Sequence, residues 1–250
     1  SWGVDFIKVD DISRPYHKAE IEGYAKAIKH CGRKIVLSLS PGATPLSEAS
    51  HVIKYANMWR LADDFWDNWN ALKAMFPLAA EWAPYAGYGH WPNLDMIPIG
   101  KLSLQGPVGP ERYSHFTEAE KRTLITLWCI TRSPLILGGN LPDNSSGDLA
   151  LETNREVLEV DQRGIDSRQL YNKDGAVVWV SRMPEKKIWN VAFFNLEDSA
   201  LVVGLPFAEL GMRGEVSVRD LWKRKNLGNF KRQYQQRVPP HGSAMLCLKE

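Results

Sequence analysis

The chain has 250 residues, of which 44% are hydrophobic, and its 31 basic and 29 acidic side chains leave a formal net charge of +2. This length allows one large domain, or a medium domain with a small one, and the composition is typical of a packed core. So small a net charge gives no electrostatic reason to expect binding to nucleic acid or to a membrane surface. No apolar run reaches the roughly 18 residues of a membrane span, and no signal peptide is recognisable.

Several kinds of site find no support in the sequence. The three cysteines, Cys31, Cys129 and Cys247, are odd in number and lack the spacing of metal ligands, so we expect neither a disulfide framework nor a zinc site. No Gly-x-Ser-x-Gly motif is present, which leaves Ser–His–Asp catalysis without support. The ten tryptophans and eight tyrosines could stack on sugars or fill a core, and composition does not decide between these uses.

Short apolar strands alternate with helices over the first part of the chain. Hydrophobic spacing predicts strands at residues 4–9, 35–39, 56–60, 94–99 and 134–139, the first two buried, and helices at 18–30, 47–53, 67–76 and 117–131. Pro77 is expected to follow the end of the third helix, and Thr117 with Glu120 should form a capping box on the fourth. This alternation predicts the parallel sheet of a (β/α)8 barrel, with about five of its eight units present and about three expected before Ser1.

The pattern changes after Asp166. Strands are predicted at residues 176–180, 188–194, 200–203 and 244–248, with no long helix between them. The predicted fold class is therefore α/β, with a partial TIM (β/α)8 barrel (about strands 4–8) over residues 1–165. An antiparallel β-sandwich domain is expected to follow over residues 166–250.

Two groups of residues at predicted strand ends suggest chemistry. Lys8 and Asp10 are two residues apart, so they point to the same side of the first strand, at the end where barrel enzymes hold their active sites. A neighbouring lysine favours the ionised carboxylate, which a glycosyl nucleophile must be. A surface ion pair at a loop edge explains the same pattern equally well.

The second group follows the third strand and contains Arg60, Asp63, Asp64 and Asp67. It could bind a sugar or a metal, and Asp67 could simply cap the next helix, since acids are favoured at helix N-termini. Retaining glycosidases need two carboxylates, one to attack the anomeric carbon and one to protonate the leaving oxygen, and the two groups together meet that need. A hard-metal hydrolase remains the competing interpretation, with ligands drawn from Asp10, Asp11, Asp64 and Asp95.

Six segments carry a resemblance to a known family. They lie at residues 2–10, 59–69, 90–96, 132–139, 219–222 and 238–242. Their order and spacing resemble glycoside hydrolase family 27, the α-galactosidases and α-N-acetylgalactosaminidases, over nearly the whole chain. The resemblance implies that Asp10 is the nucleophile and Lys8 a sugar-binding residue. It also implies an acid/base four residues after an arginine, which selects Asp64 and makes Arg60 a contact to the sugar 2-position, with Asp95 and Met96 as further substrate contacts.

The sequence departs from the family pattern in three places. Ile12 and Leu39 stand where many members have cysteines. Ser40 and Ala43 stand where galactosidases have a bulky acid and a leucine, and are similar to the form that accommodates a 2-acetamido group. The family's first three strands, with the aspartates that bind the sugar 4- and 6-hydroxyls, are not in this sequence.

The resemblance thus implies an exo-acting retaining hydrolase that releases terminal α-linked galactose and needs no metal or cofactor. The alternatives are an α-N-acetylgalactosaminidase of the same family, or a non-catalytic carbohydrate-binding protein on a truncated barrel. The expected partner is an α-galactoside or α-N-acetylgalactosaminide substrate, without nucleic acid or membrane. The resemblance favours a secreted or periplasmic protein, and the oligomeric state stays open.

Overall fold

The computed structural model describes residues 2–40, 42–106, 108–185 and 187–250. The chain divides into two compact units. The first consists of Ser1–Trp66 with Ala74–Asp95, and the second of Asp67–Lys73 with Met96–Glu250. Among the described helices, none combines the length and apolarity that a membrane crossing requires.

The first unit contains a parallel four-stranded sheet. Its strands are β1 (Phe6–Val9), β2 (Val36–Leu39), β3 (Met58–Arg60) and β4 (Trp91–Asn93), paired in chain order. The intervening helices are α1 (Lys18–His30), α2 (Ala49–Tyr55) and α3 (Trp69–Trp82). This strand–helix alternation is the predicted barrel segment.

The two faces of this sheet differ in character. On one face, the register partners Leu39 and Trp59 are fully buried. On the other face, Lys8 of β1 is in register with Ser38 of β2, and Ser38 with Met58 of β3. Since side chains alternate along a strand, Asp10, Ser40 and Arg60 continue this second face at the carboxyl ends of the strands.

The prediction that the first strand is buried is wrong. Phe6 is 47% exposed and Val4 is also exposed. In the described part of the chain, β1 pairs only with β2, so its other edge and much of its surface are uncovered.

Three further element predictions need correction. Helix α3 does not stop before Pro77 but continues to Trp82, because Phe76, Ala79 and Trp82 are all buried and this packing offsets the roughly 3 kcal/mol cost of an internal proline. The fourth strand lies at Trp91–Asn93 rather than at 94–99, since Asp95 has a φ of 83° and ends the extended conformation. The strand expected at 134–139 reduces to a single parallel bridge between Ile97 and Leu137.

The second unit begins with short elements and helices. These are β5 (Lys101–Leu102), β6 (Arg112–Tyr113), α4 (Glu118–Thr131), α5 (Ser146–Glu152) and α6 (Arg155–Arg163). The predicted capping box is confirmed, because Thr117 Oγ1 accepts from Glu120 N at 3.3 Å and Glu120 Oε2 accepts from Thr117 N at 2.8 Å.

An antiparallel β-sandwich completes the second unit, as predicted. Its strands are β7 (Ile165–Lys173), β8 (Ala176–Arg182), β9 (Ile188–Asn195), β10 (Leu201–Pro206), β11 (Glu215–Asp220), β12 (Lys225–Lys231), β13 (Gln233–Val238) and β14 (Ser243–Lys249). Six of them form a sheet in the order β12-β11-β14-β9-β8-β7, while β10 pairs with β13. The core includes Val178, Val191, Phe193, Val216 and Leu246, all at most 1% exposed. The three cysteines are free.

Candidate active site

The carboxyl edge of the parallel sheet gathers the predicted polar residues of the first unit. Asp10 follows β1, Ser40 follows β2 and Arg60 ends β3. The strand ends are held in line by backbone hydrogen bonds from Ser40 N to Val9 O at 2.8 Å and from Leu61 N to Asn93 O at 3.1 Å. Parallel strands thus place residues from distant parts of the sequence along one edge.

Arg60 links two of the predicted acids. Its side chain is 2% exposed, with Nη1 2.6 Å from Asp95 Oδ1 and Nη2 3.2 Å from Asp64 Oδ1. Asp95 Oδ2 in turn accepts a hydrogen bond from Phe65 N at 2.7 Å. The side chain of Asp64 is 65% exposed. The guanidinium therefore orients one oxygen of Asp64 while that carboxylate stays accessible to a substrate.

The neighbouring acid, Asp63, has a different environment. It forms an ion pair at 2.8 Å with Arg14, and both side chains are largely exposed. The spacing of four residues after Arg60, which the family resemblance implies, selects Asp64 over Asp63, and the ion pairs distinguish the two acids in the structure. Asp64 joins the buried arginine, whereas Asp63 joins a surface arginine.

Asn93 supports the candidate site, and the sequence did not single it out. Its side chain is buried, and its Oδ1 accepts from Asp95 N at 2.8 Å. This contact supports the left-handed backbone of Asp95, which an aspartate adopts more readily than most residues. The only signal available was an asparagine two residues before the aspartate.

Lys8 and Asp10 are both exposed. Within the described ranges, neither side chain takes part in an ion pair, so the surface salt bridge considered for this pair is not formed. Asp10 remains an accessible carboxylate at the carboxyl end of β1.

The predicted specificity residues lie beyond the end of β2. Ser40 is buried and Ala43 is exposed, while Pro41 between them lies outside the described residues. Gly42 has a φ of 93°, and a Cβ there would come 2.9 Å from Arg14 Nε, so this turn requires glycine.

Met96 belongs to the second unit. There it packs against Gly138, where a Cβ would lie 2.6 Å from the Met96 sulfur.

Asp67 does not cap a helix, contrary to one expectation for it. Helix α3 begins at Trp69, and Asn68 Oδ1 accepts from Ala71 N at 3.1 Å. The side chain of Asp67 is instead 3% exposed and forms a bidentate pair with Arg112, with Nη2 at 2.5 Å and Nε at 3.1 Å. It also accepts a hydrogen bond from His115 N at 2.8 Å. Burial favours the neutral acid, but the Arg112 and His115 hydrogen bonds outweigh it and hold the pKa of Asp67 below its ordinary value.

The described residues contain no group of three or more histidine, cysteine, aspartate or glutamate side chains arranged to hold a metal ion. The acids named for a hard-metal site include Asp64 and Asp95, which are both paired with Arg60. The chemistry available at this edge is that of carboxylates oriented by an arginine.

Two family comparisons cover most of the chain. The model described as "Alpha galactosidase A" matches residues 1–163, and the one described as "Alpha galactosidase C-terminal beta sandwich domain" matches residues 173–248. The two matches cover both the parallel sheet with acids at its carboxyl edge and the sandwich that follows it in the chain. The chain belongs to glycoside hydrolase family 27, the α-galactosidase family.

Individual relatives agree with this assignment. Alpha-galactosidase 2 of Arabidopsis thaliana is 27% identical over 257 residues, which cover 99% of this chain and 61% of that protein. A family-27 β-L-arabinopyranosidase from Geobacillus stearothermophilus is 44% identical with a TM-score of 0.96, covering 100% of this chain and 58% of that one. A Bacillus halodurans protein provisionally assigned as an α-N-acetylgalactosaminidase is 36% identical with a TM-score of 0.84. The match covers 99% of this chain and 58% of that one. The chain thus spans about three fifths of the length of these relatives.

Proposed function

We propose that the complete protein is a retaining exo-glycosidase of the α-galactosidase type. The observation that carries this proposal is the ion pair between Arg60 and the accessible Asp64, at the same sheet edge as the accessible Asp10. Two carboxylates on different strands of a family-27 barrel segment suit double displacement, for which we expect a separation of roughly 5–7 Å between the carboxyl groups.

In this proposal, Asp10 attacks the anomeric carbon and forms a covalent glycosyl intermediate. Asp64 first donates a proton to the leaving oxygen and then removes one from the attacking water. Lys8, Arg60 and Asp95 of the first unit hold the sugar, and Ser40 and Ala43 border its 2-position. The reaction needs no metal or cofactor, because the carboxylates supply both the nucleophile and the proton.

The proposed substrates are terminal α-galactosides. The family match and the α-galactosidase relatives support this choice. A second candidate is a β-L-arabinopyranoside, which has the same ring stereochemistry as an α-D-galactopyranoside but lacks the exocyclic hydroxymethyl group. The 44% identity to a β-L-arabinopyranosidase over the full chain favours it as an additional substrate.

A third candidate is an α-N-acetylgalactosaminide. The small side chains of Ser40 and Ala43 would leave room for a 2-acetamido group. The relative provisionally assigned that activity is less similar than the arabinopyranosidase, at 36% identity compared with 44%.

Hydrolysis of p-nitrophenyl glycosides of the three sugars by the complete protein tests the proposal. We expect turnover of the α-D-galactoside and the β-L-arabinopyranoside, with the anomeric configuration retained in the first-formed product by NMR. Binding without turnover of all three would indicate the non-catalytic carbohydrate-binding alternative. An inverted product would rule out the double displacement.

We also propose that residues 1–165 form the C-terminal portion of the catalytic barrel and 166–250 the β domain. The family matches, which end at residue 163 and resume at residue 173, support a boundary in this interval.

A further inference from the structure

Positive charge is concentrated in one segment of the β-sandwich. Residues 213–237 contain eight basic and two acidic side chains, whereas the rest of the chain contains 23 basic and 27 acidic ones. The segment forms β11, β12 and β13 with their connecting turns. A chain with little net charge therefore carries a strongly basic region. This region is far in sequence from the residues of the candidate active site.

Part of this region lines a cavity of about 520 Å³. Its lining includes the basic side chains Arg213, Lys231 and Arg232, the acidic side chain Glu215, and the apolar side chains Ala208 and Met212. A concave surface with one predominant sign of charge focuses the electrostatic field and attracts an ion of opposite sign. We name this surface, defined by these six residues, the basic cavity.

Two acids near the basic cavity, Glu215 and Glu250, have hydrogen-bond or ion-pair partners. Glu250 Oε1 accepts from Arg213 N at 2.8 Å and Gly214 N at 2.6 Å, while its Oε2 pairs with Lys187 at 3.0 Å. Glu215 Oε2 accepts from Asn229 Nδ2 at 3.2 Å. The Glu250 contacts fix the backbone of the cavity wall at Arg213 and Gly214.

The basic side chains of the cavity differ from these acids in their contacts. Arg213, Lys231 and Arg232 are exposed, and none of them forms an ion pair with an acid in the described part of the chain. An arginine fork is complementary to a carboxylate and binds it through two parallel hydrogen bonds. Two such forks in one cavity with the apolar side chains Ala208 and Met212 suit a ligand that carries a carboxylate on a ring.

We propose that the basic cavity binds a uronate unit of an anionic polysaccharide, separately from the proposed glycosidase site. Arg213 and Arg232 bind the sugar carboxylate, Lys231 contributes charge, and Ala208 with Met212 supports the apolar face of the ring. The choice of a carbohydrate over another carboxylate rests on the proposed function. Such a site would hold the enzyme on an acidic polymer whose neutral side chains it trims.

The test uses the complete protein and measures binding of trigalacturonate by calorimetry, with neutral galactotriose as the uncharged comparison. The variant Arg213→Gln/Arg232→Gln removes both forks. The matched control, Lys225→Gln/Arg237→Gln, removes two exposed charges of the same segment outside the cavity lining. Turnover of p-nitrophenyl α-D-galactopyranoside is measured in parallel on all three proteins.

We expect salt-sensitive binding of trigalacturonate that falls about tenfold or more in the cavity variant and changes less than about twofold in the control. Equal losses in both variants, equal binding of galactotriose, or no binding of trigalacturonate would each overturn the proposed site. Because binding is measured without hydrolysis, an inactive protein that still binds would contradict the proposed function and leave the basic cavity supported.

Discussion

Asp63 and Asp64 are adjacent acids that should behave differently when changed. In Asp64→Asn we expect kcat/KM to fall about 100-fold or more for substrates with poor leaving groups. For aryl glycosides with activated leaving groups we expect a much smaller fall in kcat/KM. The reason is that an activated phenolate departs without protonation. The measurement is kcat/KM across a series of aryl α-galactosides with leaving groups of increasing pKa.

Asp63→Asn is the matched control for this series. It removes the neighbouring carboxylate, whose ion pair with Arg14 lies on the surface. We expect its kcat/KM to stay within about threefold of the unmodified enzyme for every leaving group, because exposed ion pairs contribute little. A steeper leaving-group dependence in Asp63→Asn than in Asp64→Asn would reverse the two assignments.

At the scale of elements, Asp67 fixes the segment around β6 to the start of α3 within the second unit. Its pKa lies below the ordinary value, so its ionised form stabilises the fold above pH ~3.8, and this stabilisation is lost as pH falls through the folded-state pKa. We therefore expect Asp67→Asn to destabilise the protein by about 2–4 kcal/mol at pH 7, since Arg112 loses a buried partner. The difference should shrink at pH 3.

Urea unfolding of both proteins at pH 7 and pH 3 checks this expectation. Glu159→Gln is a suitable control, because Glu159 pairs with Arg163 on the exposed side of α6. Its effect should stay below about 1 kcal/mol at pH 7. If Asp67→Asn lowers the free energy of unfolding equally at pH 7 and pH 3, then packing, and not the ionised carboxylate, is responsible for the loss.

Elements with strong local signals were predictable from the sequence. Helix α1 occupies the predicted residues Lys18–His30, and Thr117 caps α4 as its spacing with Glu120 indicated. The short strand β4 was misplaced, because three residues carry no periodicity and a left-handed aspartate determines where it ends. Strands β7, β11, β12 and β13 were not predicted, since their mixed polar composition suits a partly exposed sheet but resembles loops.

The residues of the candidate site likewise divide into those that the sequence predicted and those that it did not. Asp10, Arg60 and Asp64 follow from spacing at strand ends and from the family resemblance. Arg112 could not be found in this way, because its pairing with Asp67 spans 45 residues and follows no local pattern. Long-range pairs of this kind depend on how the chain folds back, which a single sequence does not record.

At the scale of the whole molecule, the second edge of β1 has no strand partner in the described part of the chain. We expect residues 1–250 alone to hydrolyse no aryl α-galactoside. A closed barrel pairs every strand edge, whereas in the described part of the chain β1 pairs only with β2 and leaves Val4 and Phe6 exposed.

The test compares the thermal unfolding and the hydrolytic activity of this 250-residue chain with those of the complete protein. The β-sandwich has its own core and should unfold cooperatively even when the barrel segment does not. A cooperative barrel transition together with full activity in the shorter chain would show that the sheet edge needs no further strands.

The central claim is that Asp10 is the nucleophile of a retaining glycosidase. Its most direct test treats the complete protein with a 2-deoxy-2-fluoro-α-D-galactosyl fluoride or the corresponding β-L-arabinopyranosyl fluoride, which slows hydrolysis of the glycosyl intermediate. Peptide mass spectrometry then locates the sugar. We predict inactivation with a single label on Asp10, and no label in Asp10→Asn. A label on Asp64, or on another acid while Asp10→Asn retains activity, would contradict the account.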